Sequence, residues 1–284
     1  MSLPADSHVH TEWSWDAAFG DMARTCAQAI EIGLPAVAFT EHVDHTVWTL
    51  DRSHVDVDAH LLAFTSADGL VTPRPFDAAG YLDAVAACRE RFPGLRILTG
   101  VELGEPHLHA EAVRHVLATG TFDRVLGSLH CLPDGDGWTE PGELFGRRVS
   151  ADIIRSYLLG VADMVAVDET FAVLAHIDYP VRSWPARSEG PFDPADFEAE
   201  FRHALDATAA AGKALEINTV LPLHPTIVRW WHEAGGDAVS FGSDAHAPGS
   251  LARRFREVSQ LAEACGFRAG RDPHDLWGRA GDPA

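Results

Sequence analysis

Short apolar, β-branched runs alternate with longer amphipathic stretches along this chain, a pattern that predicts repeated strand–helix units. The first run holds His8-Val9-His10. Alternate side chains of a strand share a face, so the two histidines project together and Val9 points away. A helix is expected over residues 21–33, with Asp21 near its start and Gly33 as its stop. A buried strand over 35–42 ends on His42. Residues 46–80 carry Gly69, Pro73, Pro75 and Gly80, lack a clear period, and read as a long excursion of the kind that often covers a functional site.

The alternation then resumes. A helix over about 81–92 is closed by Pro93-Gly94 and leads to a strand over 96–102 that ends on Glu102. A helix over about 109–119 precedes a strand over 124–130, ending on His130, and 133–146 reads as a Gly-rich loop. A helix over 151–170 leads into the strand 172–178, which carries His176 and Asp178. A helix over 194–211, stopped by Gly212, precedes the strand 214–219. The last pair is a helix over 226–234 and a strand over 238–246, with Asp244 and His246 at its end. Seven strands, each followed by a helix or excursion, point to parallel βα units closed into one barrel domain spanning the chain.

Six of these seven strands end on histidine or a carboxylate. In a (β/α) barrel the C-terminal strand ends converge on one rim, where active sites are built. Histidines scattered for structural reasons would fall equally in helices and at strand starts. Imidazole and carboxylate together suit zinc, manganese or iron, and the residues do not choose among them.

Composition narrows the reading further. Sixteen histidines stand beside only 22 lysines and arginines. The ten outside the strand-end motifs, such as His54, His60, His115 and His274, read as surface or tolerated core residues. A formal charge of −20 argues against a nucleic-acid-tracking surface, and three divalent ions would still leave the chain strongly acidic. No apolar run approaches a membrane span and no signal peptide opens the chain. The four cysteines are scattered without a Cys-x-x-Cys spacing, so neither thiolate zinc nor a disulfide framework is expected, and a cytoplasmic setting is.

In order, the motifs are His8-Val9-His10, Thr40-Glu41-His42, Gly100-Val101-Glu102, Gly127-Ser128-Leu129-His130, Ala175-His176-Ile177-Asp178 and Ser243-Asp244-Ala245-His246. This ordered set, over about residues 4–250, resembles the PHP (polymerase and histidinol phosphatase) family. The resemblance implies a distorted (β/α)7, TIM-like barrel with a trinuclear metal centre and phosphoester hydrolysis, with histidinol-phosphate phosphatases the nearest relatives. It would give one ion His8, His10, Glu102 and Asp244, and a second Glu102 as a bridging carboxylate with His130 and His176. The third would take Asp16, His42 and His246. Asp16 lies six residues after His10, where relatives carry His or Asp; its plainer reading is a solvated loop acid or a helix cap. Glu102, Asp244 and His246 are the expected catalytic residues, acting on a hydroxide held between ions.

A phosphate clamp calls for arginine, whose planar fork matches phosphate oxygens. Arg182, shortly after His176-Ile177-Asp178, is the leading candidate, with Arg147 and Arg148 as others; each could equally be a solvated surface residue. Trp13, Trp15, Trp138 and Trp184 lie near strand-end loops and either wall the pocket or pack the loops. Leu103-Gly104-Glu105-Pro106 departs from the aromatic-acidic run of typical histidinol phosphatases, which bears on substrate choice. The expected substrate is a small phosphomonoester, L-histidinol phosphate in the first instance. The alternatives are a nuclease or phosphodiesterase acting on short oligonucleotides or nucleotides, and a non-catalytic metal-binding module.

Overall fold

The computed structural model describes residues 3–51 and 59–280. His54, and with it residues 52–58 of the excursion, lies outside the described residues. Seven parallel strands form the frame: β1 (Asp6–Val9), β2 (Ala36–Val43), β3 (Arg96–Gly104), β4 (Arg124–Ser128), β5 (Val173–Leu174), β6 (Ala214–Asn218) and β7 (Ala238–Gly242). They pair in chain order, each with the next. The ends of the sheet then meet. Asp244 N–H donates to the His8 carbonyl at 2.8 Å and His10 N–H to that of Ala245 at 2.9 Å, a parallel bridge between Val9 and Ala245. The expected distorted seven-stranded barrel is what the chain forms.

The helices form where the periodicity puts them. Helix α1 (Met22–Ile32) is capped by Asp21, whose carboxylate accepts from Arg24 N–H at 2.8 Å. Gly33, with φ of 74°, turns the chain out of α1 in the left-handed conformation that a β-carbon would disfavour. Helices α2 (Ala78–Arg91), α3 (Ala110–Leu117), α4 (Ser150–Val167), α5 (Glu198–Ala210) and α6 (Pro225–Glu233) follow. Their apolar stripes pack on the outward residues of the strands: Met22, Cys26, Tyr81, Val85, Tyr157 and Phe201 join Val9, Phe39, Leu174 and Ile217 in one buried cluster. Among the described residues no helix is long and apolar enough to cross a membrane.

Four features differ from the sequence reading, the first being that the expected loop over 133–146 holds an antiparallel pair, Leu132–Asp134 with Gly137–Thr139. Strand β5 is two residues long rather than seven, so His176 stands beyond it, where its N–H donates to Glu216 Oε2 at 2.8 Å instead of continuing the ladder. The chain beyond residue 246, for which the sequence pattern predicts no element, forms α7 (Phe255–Ala264) and the strands β8 (Phe267–Arg268) and β9 (Trp277–Arg279). Strand β9 pairs antiparallel with β7, extending the sheet. Within the excursion, Trp48–Thr49 and Leu70–Val71 pair antiparallel, and this small hairpin buries Trp48, Leu50 and Val71 against Trp15 and Cys131. The excursion is therefore anchored onto the rim.

Candidate metal centre

Strand register places the central carboxylate. His42 on β2 lies directly beside Glu102 on β3, and in a parallel pair such neighbours project to the same face. Glu102 is fully buried, and its two oxygens face different partners. Oε2 lies 3.1 Å from His8 Nε2, 3.4 Å from His10 Nε2 and 3.1 Å from His42 Nδ1. Oε1 lies 3.2 Å from His130 Nε2 and 2.7 Å from His176 Nε2.

Three donor groups result. In the first, His8 Nε2 and His10 Nε2 are 3.0 Å apart, and Asp244 Oδ1 is 3.6 and 3.3 Å from them. Ligands about 2.0–2.1 Å from a tetrahedral ion stand about 3.3–3.4 Å from one another, so these separations, with those to Glu102, are the edges of such a polyhedron. The second group is Glu102, His130 and His176. The third joins Asp16 Oδ2, 3.2 Å from His246 Nε2 and 3.4 Å from His42 Nε2, with those two nitrogens 3.4 Å apart. Asp16 thus faces inward with the histidines, rather than acting as a helix cap.

The donor chemistry fits cations. Neutral imidazole has one N–H, and what holds it decides which nitrogen is free to ligate. His8 Nδ1 lies 2.6 Å from Glu216 Oε1, His10 Nδ1 3.0 Å from Ser14 Oγ and His246 Nδ1 3.1 Å from the Asp244 carbonyl. In each case Nδ1 is the nitrogen that donates outward, so Nε2, which turns into the cluster, is the one that would ligate once any proton on it is displaced by a cation. Among the described residues, Asp16 Oδ1, His42 Nδ1 and His176 Nδ1 are buried without a hydrogen bond, a cost that a bound cation or water at the cluster would offset. Burial works against charge on Glu102, Asp244 and Asp16, yet the surrounding histidines, with Arg182 beside Asp244, hold all three well below the usual carboxylate range. Burial, reinforced by His42 and His246, pushes His10 down to about 4, leaving it neutral and able to ligate.

The backbone is shaped for this arrangement. Asp244 has φ of 51°, a conformation that costs a non-glycine residue energy and recurs at functional sites. It lets the end of β7 bond back to β1 while its carboxylate reaches His10. Gly242 is required beside it, because a β-carbon there would overlap Glu216 Oε1 and the His8 side chain. Glu41, beside His42, accepts from Thr11 N–H at 2.9 Å, Thr11 Oγ1 at 2.6 Å and Ser14 Oγ at 2.6 Å, fixing the loop that carries Asp16.

Glu216 is the chief residue that reading the sequence misses. It sits within β6, the one strand whose predicted end carries neither a histidine nor a carboxylate, and its role depends on a contact with His8 across the barrel. Asp44, which faces His130 Nδ1 at 3.3 Å, escapes notice likewise, and Glu105, singled out in the sequence only as part of the segment 103–106, accepts from Cys131 N–H at 2.9 Å and Thr46 Oγ1 at 2.7 Å. We expect Glu216→Gln to weaken metal retention about 10–100-fold, the usual effect of losing a carboxylate behind a ligating histidine. Equilibrium dialysis against a competing chelator measures this, and unchanged retention would remove Glu216 from the centre.

Over the donors lies a cavity of about 180 Å³. Among the described residues Arg182 is the one permanent cation lining it, its Nη2 2.8 Å from Asp244 Oδ2 and its guanidinium 4.9 Å from the centre of the Tyr179 ring. Arg147 and Arg148 are not brought there. Both bond to Asp134 on the hairpin of Leu132–Asp134 and Gly137–Thr139, and Arg148 also to the Pro133 carbonyl, because that acidic turn is their nearer partner. Of the four tryptophans named above, Trp15 lines the cavity. Trp184 packs on Phe192 and Phe197, Trp13 against the main core, and Trp138 beside the Trp48 cluster.

Comparisons with known proteins agree with this geometry. Two proteins each described as a probable histidinol-phosphatase align along nearly their whole lengths. The one from Deinococcus radiodurans is 27% identical, covering 94% of this chain and 96% of its own. The one from Clostridium acetobutylicum is 22% identical, covering 93% and 94%. Among solved structures, histidinol phosphate phosphatase from Lactococcus lactis, complexed with zinc, L-histidinol and phosphate, superposes with a TM-score of 0.77 at 22% identity, covering 96% of this chain and 98% of that one. A putative histidinol phosphatase from Listeria monocytogenes gives 0.70 at 18% identity, covering 89% and 99%. The PHP domain model matches residues 6–220, most of the chain and five of the six strand ends that carry histidine or a carboxylate, so the resemblance carried by the motifs is real and this protein belongs to the PHP domain family.

Proposed function

We propose that this protein is a metal-dependent phosphatase that hydrolyses a small phosphomonoester, L-histidinol phosphate, at a trinuclear centre. The observation that carries the reading is one buried carboxylate, Glu102, joining two donor groups beside a third, beneath a small cavity lined by Arg182. His8, His10, Glu102 and Asp244 would hold one ion, Glu102, His130 and His176 a second, and Asp16, His42 and His246 the third. Bound there, such ions supply Lewis acidity and bring the ionisation of water near neutral pH.

The chain's own groups do the rest. Arg182 takes the non-bridging phosphate oxygens, held against the Tyr179 face so that little ordering is needed when substrate arrives. Trp15, Trp48 and Pro73 wall the cavity, two of them from the excursion, and limit water around the ester. Glu102, Asp244 and His246 contribute to catalysis by fixing where positive charge sits relative to the phosphorus. The small acidic cavity, lined among the described residues by one arginine and no lysine, favours a compact ester over a nucleic-acid strand, which needs a basic track.

A phosphate-release screen with metal analysis of the same sample tests this. We expect inorganic phosphate from L-histidinol phosphate and close to three ions per chain, with zinc, manganese and iron each tried. The thermal midpoint should rise as metal is added, since an ion that binds only the folded state stabilises it. Folded, metal-loaded protein that releases no phosphate from this ester would overturn the reading.

A further inference from the structure

The cavity over the metal donors is lined by five carboxylates, and four have partners. Asp16 faces His42 and His246, and Asp244 faces Arg182. Asp44 accepts from Trp15 Nε1 at 2.8 Å, and Glu105 from Thr46 and Cys131. Glu140 differs: among the described residues its carboxylate makes no hydrogen bond and no ion pair. Burial pushes it up to about 7, and the nearby acids Glu143, Asp16 and Asp44 add to the effect. A half-buried carboxylate without a partner costs desolvation energy that a bound cation would offset.

Its backbone is fixed nonetheless. The adjoining Thr139 Oγ1 donates to the Thr49 carbonyl at 2.6 Å, tying this segment to the excursion. Glu140 also lines a second cavity, of about 330 Å³, which shares Trp15, Asp16 and His246 with the first and adds the aromatic ring of Phe19 and the side chain of Leu61. Phe19 is 79% exposed, an unusual position for a phenylalanine that no described residue covers. The first cavity therefore presents both Arg182 and an unpaired carboxylate beside the metal donors, and the second adds Phe19 to the walls that Glu140 and Trp15 share.

We propose that Glu140 receives the ammonium group of the substrate's alcohol portion, so that the site selects phosphate esters of amino alcohols over neutral esters. Trp15 and Phe19 offer surface to the ring or chain that the alcohol also carries. This rests on the phosphatase reading and names the residue that gives it specificity. Glu140 belongs to none of the three donor groups, and as a specificity residue it acts through binding.

The test compares L-histidinol phosphate, which carries an ammonium, with p-nitrophenyl phosphate, which carries none, on metal-loaded full-length protein. Glu140→Gln should lower kcat/KM for the first about 10-fold more than for the second, mostly through KM, as expected for one charge-assisted hydrogen bond at a partly exposed site. Glu140→Asp should retain more of the preference than Glu140→Gln. Independently of turnover, calorimetry should show L-histidinol binding the wild-type protein about 10-fold more tightly than Glu140→Gln, the same single contact read at equilibrium. Equal losses on both esters, or unchanged L-histidinol affinity, would overturn the role of Glu140 while leaving the phosphatase intact. If wild-type protein hydrolyses neither ester and does not bind L-histidinol, both readings fall together.

Discussion

Glu102→Gln should cost about 100-fold or more in kcat/KM while leaving the fold in place. Glu102 is fully buried and touches His8, His10, His42, His130 and His176 through two oxygens. The amide is nearly the same size, so the packing of β3 between β2 and β4 has no reason to change. Its charge, however, disappears where cations are to be held closest together. One oxygen becomes an NH2 group that cannot ligate and that points at the ring nitrogen of a histidine. At least one ion should be lost, and any that remain should be misplaced relative to each other. In metal-free protein the same change should lower the thermal midpoint, because the surrounding histidines hold Glu102 ionised and its loss leaves their buried charge without a partner. Three measurements on one preparation decide the matter: kcat/KM, metal content and the thermal midpoint after chelation. A variant that keeps full activity and full metal content would show that Glu102 is not the joining group.

The cluster of proposed ligands is legible in the sequence because the residue types that suit a metal and barrel topology leave coincident marks. A histidine or carboxylate is conspicuous at the end of an apolar strand, and the period-2 pattern says that His8 and His10 share a face. The residues behind them leave no such mark. Glu216 looks like any acid inside a strand, and only closure of the sheet, through the Asp244 and Ala245 bonds to β1, brings it to within 2.6 Å of His8. Strand β5 reads too long because apolar alternation continues through His176, whereas the ladder stops once the His176 N–H bonds to a side chain. The end of the chain gives no strand signal because its two short strands exist only by pairing with β7 and with each other. Arg147 and Arg148 show the converse error. Nearness in sequence to a ligand-bearing loop does not direct a flexible cation inward when an acidic turn lies beside it.

The same division bears on what sets substrate choice. The proposed ligands, Asp16 excepted, come from strand ends or the residues just beyond them, whose positions the barrel fixes whatever loops surround them. The cavity walls come from the excursion and from the segment after His130, which bring Trp48, Pro73 and Glu140. These are loop residues on a rigid frame, the usual location of specificity. Ligand substitutions should therefore change metal content and rate together, whereas wall substitutions should change KM at constant metal.

Arg182 lies on the boundary between these two groups, and Arg182→Ala should separate them. Its guanidinium bonds to Asp244, a proposed ligand, and lies over Tyr179, so it reaches both the centre and the cavity. If it clamps phosphate, its loss should lower kcat/KM by about 1.5–3 kcal/mol, the range for a hydrogen bond to a charged group. Metal should not be lost with it. Arginine and a metal ion compete for the same carboxylate charge, so freeing Asp244 leaves it a stronger ligand, and retention should hold or improve. Arg182→Lys should recover little, because an ammonium cannot reproduce the two-pronged contact or the flat packing on Tyr179. Inhibition by inorganic phosphate should weaken in parallel with kcat/KM, since product and substrate would share the clamp. If phosphate inhibition stays intact while activity falls, Arg182 acts by holding Asp244 rather than by binding phosphate. If metal falls with activity, the competition argument fails and Arg182 belongs to the frame of the centre.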